Sequence, residues 1–176
     1  RLILHLSGET VTPDDVASFQ RHFPRGCSMM VLYGSTEGGL GTVNFITHDD
    51  RIEERVSIGR PIEGIDVRVL NETGEVCAPG EIGEIAIRSP HVFPGYWRRP
   101  DLTEAAFLPG RTSPAGRVFL TGDLGIVRPG GQFDHAGRKD DQVKVRGFRL
   151  ELAEIELALQ AHPAVRMAAA KVFDDE

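Results

Sequence analysis

The sequence predicts an α/β unit, then an antiparallel β subdomain, then a small α+β segment. Three observations predict this fold class. Residues 2–33 read as strand, helix, strand. From about Ile58 the chain breaks into short β-rich runs separated by Gly-, Pro- and Asn-containing turns. After Gly137 a charged, alternating strand leads into an amphipathic helix. The boundaries expected are 1–57 for the C-terminal part of a larger α/β subdomain, 58–137 for the β-rich subdomain, and 138–176 for a hinge and the start of a further subdomain.

Each element has a local reason. Residues 2–6 form an apolar run and read as a short buried strand. Residues 13–23 read as a helix: Thr12 can cap it, Pro13 suits the first turn, and Asp14 and Asp15 oppose the dipole. Val16, Phe19 and Phe23 form its apolar stripe. Residues 28–33 read as a second strand ending at a turn, Gly34-Ser35. Residues 66–70 and 82–88 are β-rich, with a hairpin-like turn at Asn71-Glu72-Thr73-Gly74-Glu75. Residues 118–120, 124–127 and 132–134 continue the pattern, with Pro129-Gly130-Gly131 as a turn. Residues 143–146 alternate as a strand. Residues 151–160 read as a helix with Leu152, Ile155 and Leu159 on one face, stopped by His162-Pro163. Residues 165–173 suit another strand.

Composition narrows the function classes. Apolar residues at 40% and charged residues at 26% give an ordinary globular balance. A formal net charge of -6 makes the chain a poor partner for nucleic acid, whose affinity comes from phosphate neutralisation. Cys27 and Cys77 form neither a disulfide framework nor a metal-ligand spacing and read as free thiols of a reducing compartment. No apolar run reaches membrane-span length, so a cytoplasmic location without membrane contact is expected. The chain opens inside an apolar run without Met and closes just after a strand-like segment, as a piece of something longer would.

Three polar segments can carry chemistry. Tyr33-Gly34-Ser35-Thr36-Glu37 follows a predicted strand, where open α/β sheets bind ligands. Its hydroxyl and carboxylate suit phosphate and a hard divalent cation, and its aromatic offers a face to a base. On spacing alone, a polar turn over a packed Tyr is the favoured reading of such a segment. Thr121-Gly122-Asp123 places a carboxylate that can accept from a vicinal diol, or simply a turn Asp. Residues 137–147 carry a basic strip that can meet phosphates or serve as a solvated strand face. His5, His22, His48, His91, His135 and His162 are scattered, and His5 reads as a core histidine. Spacing alone leaves the polar site undecided.

The order of the motifs decides more. Leu6-Ser7-Gly8-Glu9, Tyr33-Gly34-Ser35-Thr36-Glu37, Gly83-Glu84-Ile85-Ala86-Ile87 with Gly95-Tyr96-Trp97, Phe119-Leu120-Thr121-Gly122-Asp123-Leu124, and the block from Gly137 to Leu152 follow one another along nearly the whole chain. In this order they resemble the adenylation domains of nonribosomal peptide synthetases, in the superfamily that includes acyl-CoA synthetases and luciferases. The resemblance implies a partial adenylate-forming-enzyme fold plus the start of its small mobile α+β C-terminal subdomain. It implies ATP and Mg²⁺ as cofactors, a carboxylic or amino acid substrate, and a carrier protein's phosphopantetheine thiol as acceptor.

The resemblance also implies roles. Tyr33 packs on adenine, with the backbone of Gly8 and Gly34 alongside. Thr36 contacts the α-phosphate, Glu37 binds Mg²⁺, and Asp123 holds the ribose hydroxyls. Arg138 contacts ribose or phosphate. Asp140 is the hinge, and Lys144 and Gly147 serve the thioester-forming state. His5, Ser7, Leu32, Leu40 and Gly41 contribute to the acid pocket. His135 stands where most relatives carry an aromatic. The family's phosphate loop and the lysine bridging carboxylate and phosphate fall outside residues 1–176, so the chain alone is expected to be inactive. An acyl- or aryl-CoA ligase, or a fatty acyl-AMP ligase, is the alternative within the superfamily. A non-catalytic scaffold piece is the alternative of another class.

Overall fold

The computed structural model describes residues 2–52, 54–113, 116–140, 142–145 and 148–172. The chain divides into two compact units, Arg1–Gly137 and Arg138–Glu176.

The first unit opens with β1 (Ile3–Leu6), α1 (Pro13–His22), β2 (Ser28–Ser35) and β3 (Gly39–Ile46). β1 and β2 are parallel, joined by the α1 crossover, and the short β4 (Arg60–Pro61) completes the sheet order β1-β2-β3-β4. α1 starts where the sequence says it should. Thr12 and Asp15 form a reciprocal capping box, and Pro13 occupies the first turn. Val16 and Phe19, each 2% exposed, pack on Cys27, Met29, Val31, Ile46 and Val56. This burial is the main reason the helix is stable, since ten residues are too few for an isolated helix.

Three expectations for this region are corrected. β1 is an edge strand rather than a buried one: Leu2 and Ile3 are 60% and 48% exposed, and His5 is exposed rather than a core histidine. β2 does not stop at Tyr33 but continues through Gly34 and Ser35, because β3 returns beside it after only Thr36-Glu37-Gly38. The Gly-rich run at 39–41 is thus the start of a strand. Gly39 takes φ of 71° after the turn, as three-residue hairpin loops require. Gly34 must lack a side chain because the carbonyl oxygen of Gly39 lies 2.3 Å from where a Cβ would be.

A second sheet runs β5 (Asp66–Leu70), β6 (Ile82–Arg88), β8 (Gly116–Val127), β7 (Phe107–Ser113), with β9 (Phe133–Arg138) paired to β8. The β5–β6, β6–β8 and β7–β8 pairs are antiparallel. β5 and β6 lie where the β-rich runs placed them. The turn between them is organised by Asn71, whose side-chain oxygen accepts from the backbone of Thr73 and Glu75. Ile58, Val67, Val69, Cys77, Ile85, Ile87 and Phe133 form the core beneath this sheet, with Tyr33 of β2 packed against it. Both cysteines are buried free thiols. α2 (Pro100–Ala105) and β7 are elements that the sequence patterns did not indicate. Residues 118–127, expected as two runs split by a turn, are one strand; a bulge absorbs Thr121-Gly122-Asp123.

The second unit holds β10 (Gln142–Val145), antiparallel to the unexpected β11 (Phe148–Glu151), then α3 (Leu152–Gln160). His162 ends the helix, its ring nitrogen accepting from Ala164 N and its carbonyl from Val165 N. Residues 165–172 do not form the expected strand; Phe173 lies outside the described residues. A strand needs a ladder partner. Here Glu156 accepts from Ala170 N, and Gln160 donates to Ala168 O, so side chains of α3 take backbone groups that a neighbouring strand would bind.

Candidate functional site

The bulge in β8 is the feature from which the site is built. Opposite β6, Glu84 pairs with Leu124 and Ala86 with Leu120, so Thr121, Gly122 and Asp123 all face the span of Ile85. Gly122 takes φ of 73°, and side chains satisfy the disturbed ladder. Thr121 Oγ1 donates to Ile85 O at 2.7 Å and accepts from Asp123 N at 3.1 Å. Gly122 N donates to Glu84 Oε1 at 3.0 Å. Bulges re-aim a side chain and recur beside functional sites.

The side chain re-aimed here is Asp123. Its carboxylate is 14% exposed. Tyr33 Oη donates to Oδ2 at 2.7 Å, and His135 Nε2 lies 3.5 Å from Oδ1. The rings of Tyr33 and His135 are tilted at 43° with centroids 6.4 Å apart. A strand of the first sheet and two strands of the second thus converge on one carboxylate beside two ring faces. Neither partner of Asp123 was assigned to it by sequence reading; the positions are far apart in the chain, and no periodic signal links them.

Thr36 and Glu37 occupy the turn directly after β2. Thr36 is exposed, whereas Glu37 is 8% exposed and accepts from Tyr96 Oη at 3.0 Å. Glu37 O also accepts from Phe93 N at 2.8 Å. Phe93 lies edge-on to Tyr96 and Phe119 and stacks on Phe107, so an aromatic cluster fixes the donor that holds Glu37. A Cβ at Gly38 would approach Ile87 and Phe119 at 3.0 Å, which seats the turn against β6 and β8. The role of Tyr96 was missed. Its motif was visible, but its partner was not.

The other expected residues lie on or just after β1, on β2 and on β3 of the first unit and, separately, in the second unit. Ser7 and Gly8 are exposed after β1, and Gly8 takes φ of 93°. His5 registers with Met30, and Leu32 lies two residues farther along β2, so His5 and Leu32 share a sheet face. Leu40, 54% exposed, registers with Gly34. Gly41 packs toward Ile87 and Tyr33. Arg138 forks onto Asp140, with Nε and Nη2 each 2.6 Å from a carboxylate oxygen, and Asp140 Oδ1 also accepts from Gln142 N. Lys144 lies in β10 opposite Arg149, but its side chain, like Gly147, is outside the described residues.

The family model described as AMP-binding enzyme matches residues 1–97. The chain belongs to the AMP-binding enzyme family. Relatives of this AMP-binding enzyme include a probable non-canonical nonribosomal peptide synthetase, CymA, from Salinispora arenicola, 42% identical over 98% of the chain and 2% of that protein. The nonribosomal peptide synthetase agiA from Aspergillus flavus is 37% identical over 98% of the chain and 2% of its own length. Among solved structures, IdnL1 superposes with a TM-score of 0.85 at 32% identity, over 96% of this chain and 35% of its own. PA1221, a nonribosomal peptide synthetase protein containing adenylation and PCP domains, gives 0.84 at 30% identity over 98% and 35%. These matches bear out the resemblance to nonribosomal peptide synthetase adenylation domains and the partial adenylate-forming fold. The chain spans about a third of those solved chains and a few per cent of the curated relatives. No helix among the described residues is long and apolar enough to cross a membrane.

Proposed function

We propose that the chain serves ATP-dependent activation of a carboxylic acid, in the first instance an amino acid, as an acyl-adenylate, followed by transfer to a carrier protein's phosphopantetheine thiol. The observation that carries this reading is the Asp123 carboxylate set between the Tyr33 and His135 rings. An ionised carboxylate accepts from two hydroxyls at once, as a ribose diol needs, and a neighbouring ring face suits a base.

In the first step a substrate carboxylate oxygen bonds to the α-phosphorus of ATP and pyrophosphate leaves with the electron pair of the broken P–O bond. In the second, the thiol sulfur bonds to the acyl carbon, the thiol proton is lost, and AMP leaves. Neither step needs a covalent link to protein; positioning and charge stabilisation are the protein's contribution. Asp123 and Tyr33 hold the nucleoside, Thr36 donates to the α-phosphate, and Arg138 adds a cation near it. Glu37 fits Mg²⁺ because it is a hard oxygen donor on a turn, oriented by Tyr96. Mg²⁺, when bound, neutralises phosphate charge. Asp140 holds Arg138 through Nε and Nη2 in this structure and so orients the guanidinium.

The test is amino-acid-dependent ATP–pyrophosphate exchange by the intact protein carrying Asp123→Ala. Loss of a charge-assisted contact should raise the ATP requirement about tenfold or more, with little change in the acid requirement. Unaltered ATP dependence in a folded variant refutes the assignment. Loading of a carrier thiol, compared with formation of a coenzyme A thioester, separates this reading from an acyl-CoA ligase.

A further inference from the structure

We infer that Glu84 is a positioning residue for the nucleoside, holding the β8 bulge in the form that presents Asp123. The inference rests on the reading of Asp123 as the acceptor of a ribose diol. It adds to that site a residue of β6 that acts through the backbone of Gly122.

The β6–β8 register gives Leu120 and Leu124 Cα partners on β6, but none to Thr121, Gly122 or Asp123 between them. Strand pairing with β6 therefore does not fix this stretch, and side chains do so instead. Thr121, 8% exposed, donates from Oγ1 to Ile85 O and accepts from Asp123 N at 3.1 Å. Glu84 Oε1 accepts from Gly122 N at 3.0 Å. Each of the three bulge residues is thus tied at one point, and the Asp123 side chain springs from a backbone held in this way.

Glu84 stands on a firm base. β6 lies between β5 and β8, and Glu84 pairs with Leu70 on one and Leu124 on the other. A Cβ at Gly83 would lie 2.4 Å from Leu70 O, and one at Gly125 would lie 2.6 Å from Ile85 Cγ1, so both neighbouring strands press close to β6 here. Gly122 is the contrast. Its φ of 73° lies in the left-handed region, which glycine enters and leaves at little cost. Such a residue keeps one conformation where an acceptor binds its N–H, and a carboxylate is a stronger acceptor than a neutral carbonyl. Release of Gly122 shifts the adjoining Asp123, and with it the carboxylate that meets the Tyr33 phenol. Loss of Glu84 should then weaken nucleotide binding and spare acid binding, and the whole loss should run through Asp123.

The test is ATP–pyrophosphate exchange by the intact protein, with melting temperatures alongside, for wild type, Glu84→Met, Glu84→Gln, Asp123→Ala and the double variant Glu84→Met/Asp123→Ala. Met and Gln both match Glu in length, and only Gln keeps an oxygen acceptor. Glu84→Met should raise the KM for ATP about three- to tenfold and leave that for the amino acid within about twofold. Glu84→Gln should bring the KM for ATP back to within about twofold of wild type. The double variant should lie within about twofold of Asp123→Ala, because a residue that acts through Asp123 has nothing left to position. Suppose Asp123→Ala raises the KM for ATP as expected. The Glu84 inference is then overturned, with the diol reading standing, by any of four results: Glu84→Met lowers only the melting temperature, Glu84→Met does not fold, Glu84→Gln gives no rescue, or the two losses add in full. If Asp123→Ala leaves the KM for ATP unaltered, the diol reading and this inference fall together.

Discussion

Tyr33 and Asp123 stand 90 positions apart and are joined by one hydrogen bond, phenol to carboxylate, at 2.7 Å. The bond ties the last turnward residues of β2 to the bulge of β8, and it fixes both the ring plane and the carboxylate before a ligand arrives. Tyr33→Phe keeps the ring and removes only the donor. A hydrogen bond to a charged acceptor contributes about 1.5–3 kcal/mol, and the site here is partly exposed, so the lower end applies. ATP affinity should fall about tenfold, with the acid requirement unchanged. Nucleotide titration of the variant checks this, and an affinity equal to wild type would mean that Asp123 is oriented without Tyr33.

Tyr96 offers a parallel case at Glu37. The Glu37 carboxylate is 8% exposed and accepts from Tyr96 Oη at 3.0 Å. Tyr96→Phe leaves the aromatic cluster with Phe93 intact but takes a donor from a largely buried charge. If Glu37 serves Mg²⁺, the variant should need about three- to tenfold more Mg²⁺ for half-maximal pyrophosphate exchange, because the ligand is less well oriented. An unchanged Mg²⁺ dependence, alongside a lowered melting temperature, would assign the Tyr96–Glu37 bond to stability alone.

What the sequence disclosed follows from where its signals were local. α1 was legible because Thr12, Pro13 and Asp15 write its start and Val16 and Phe19 its buried face. β5 and β6 were legible because alternation runs unbroken between turn residues. β3 was not, because Gly39 supplies the positive φ of the hairpin turn and Gly41 the close approach of Ile87 from β6, and periodicity cannot report either. β8 was read as two strands because Thr121-Gly122-Asp123 has the composition of a turn; only the opposing Glu84 and Ile85 make it a bulge. The site was legible as motifs in order. Its contacts, Tyr33 and His135 on Asp123 and Tyr96 on Glu37, are long-range and required the fold.

On β5 and β6, Asp66 receives Arg68 Nε at 3.0 Å and Arg88 Nη2 at 2.5 Å. Burial acts to raise its pKa, but the hydrogen bonds and charges of Arg68 and Arg88 together outweigh it and hold the carboxyl below its ordinary value. A depressed folded value stabilises the fold above the unfolded pKa, near 3.9 for Asp, and the contribution is lost as pH falls through the lower folded value. Asp66→Asn should therefore destabilise at neutral pH and converge with wild type in strong acid. The side chains are roughly a third to half exposed, so screening limits the effect to about 1 kcal/mol, or about 2–4 °C in melting temperature. Thermal melts of both proteins from neutral pH down to about pH 2 check the sign. A gap that widened toward acid would contradict the ion-pair account.

The last prediction concerns Asp140, just past the boundary between the two compact units at Gly137 and Arg138. Its carboxylate takes both the Arg138 fork and the Gln142 N–H, so one side chain organises the segment leading into β10. A hinge is a few residues that absorb a large backbone change while the flanking bodies stay rigid, and this segment has the position for one. Two substitutions separate the hinge from the ion pair. Asp140→Ala removes the carboxylate and leaves the backbone free. Asp140→Pro removes the same carboxylate and also fixes φ near −65°. If the segment rotates between adenylation and thiol loading, both variants should lose the Arg138 contact alike, and only the proline variant should split the two half-reactions. Pyrophosphate exchange should then survive within about threefold of the alanine variant, while carrier-thiol loading, followed by intact-protein mass spectrometry, should fall about tenfold or more. Equal losses in both half-reactions, in proline and alanine variants that melt like wild type, would show that Asp140 serves only to hold Arg138 and that rotation occurs elsewhere.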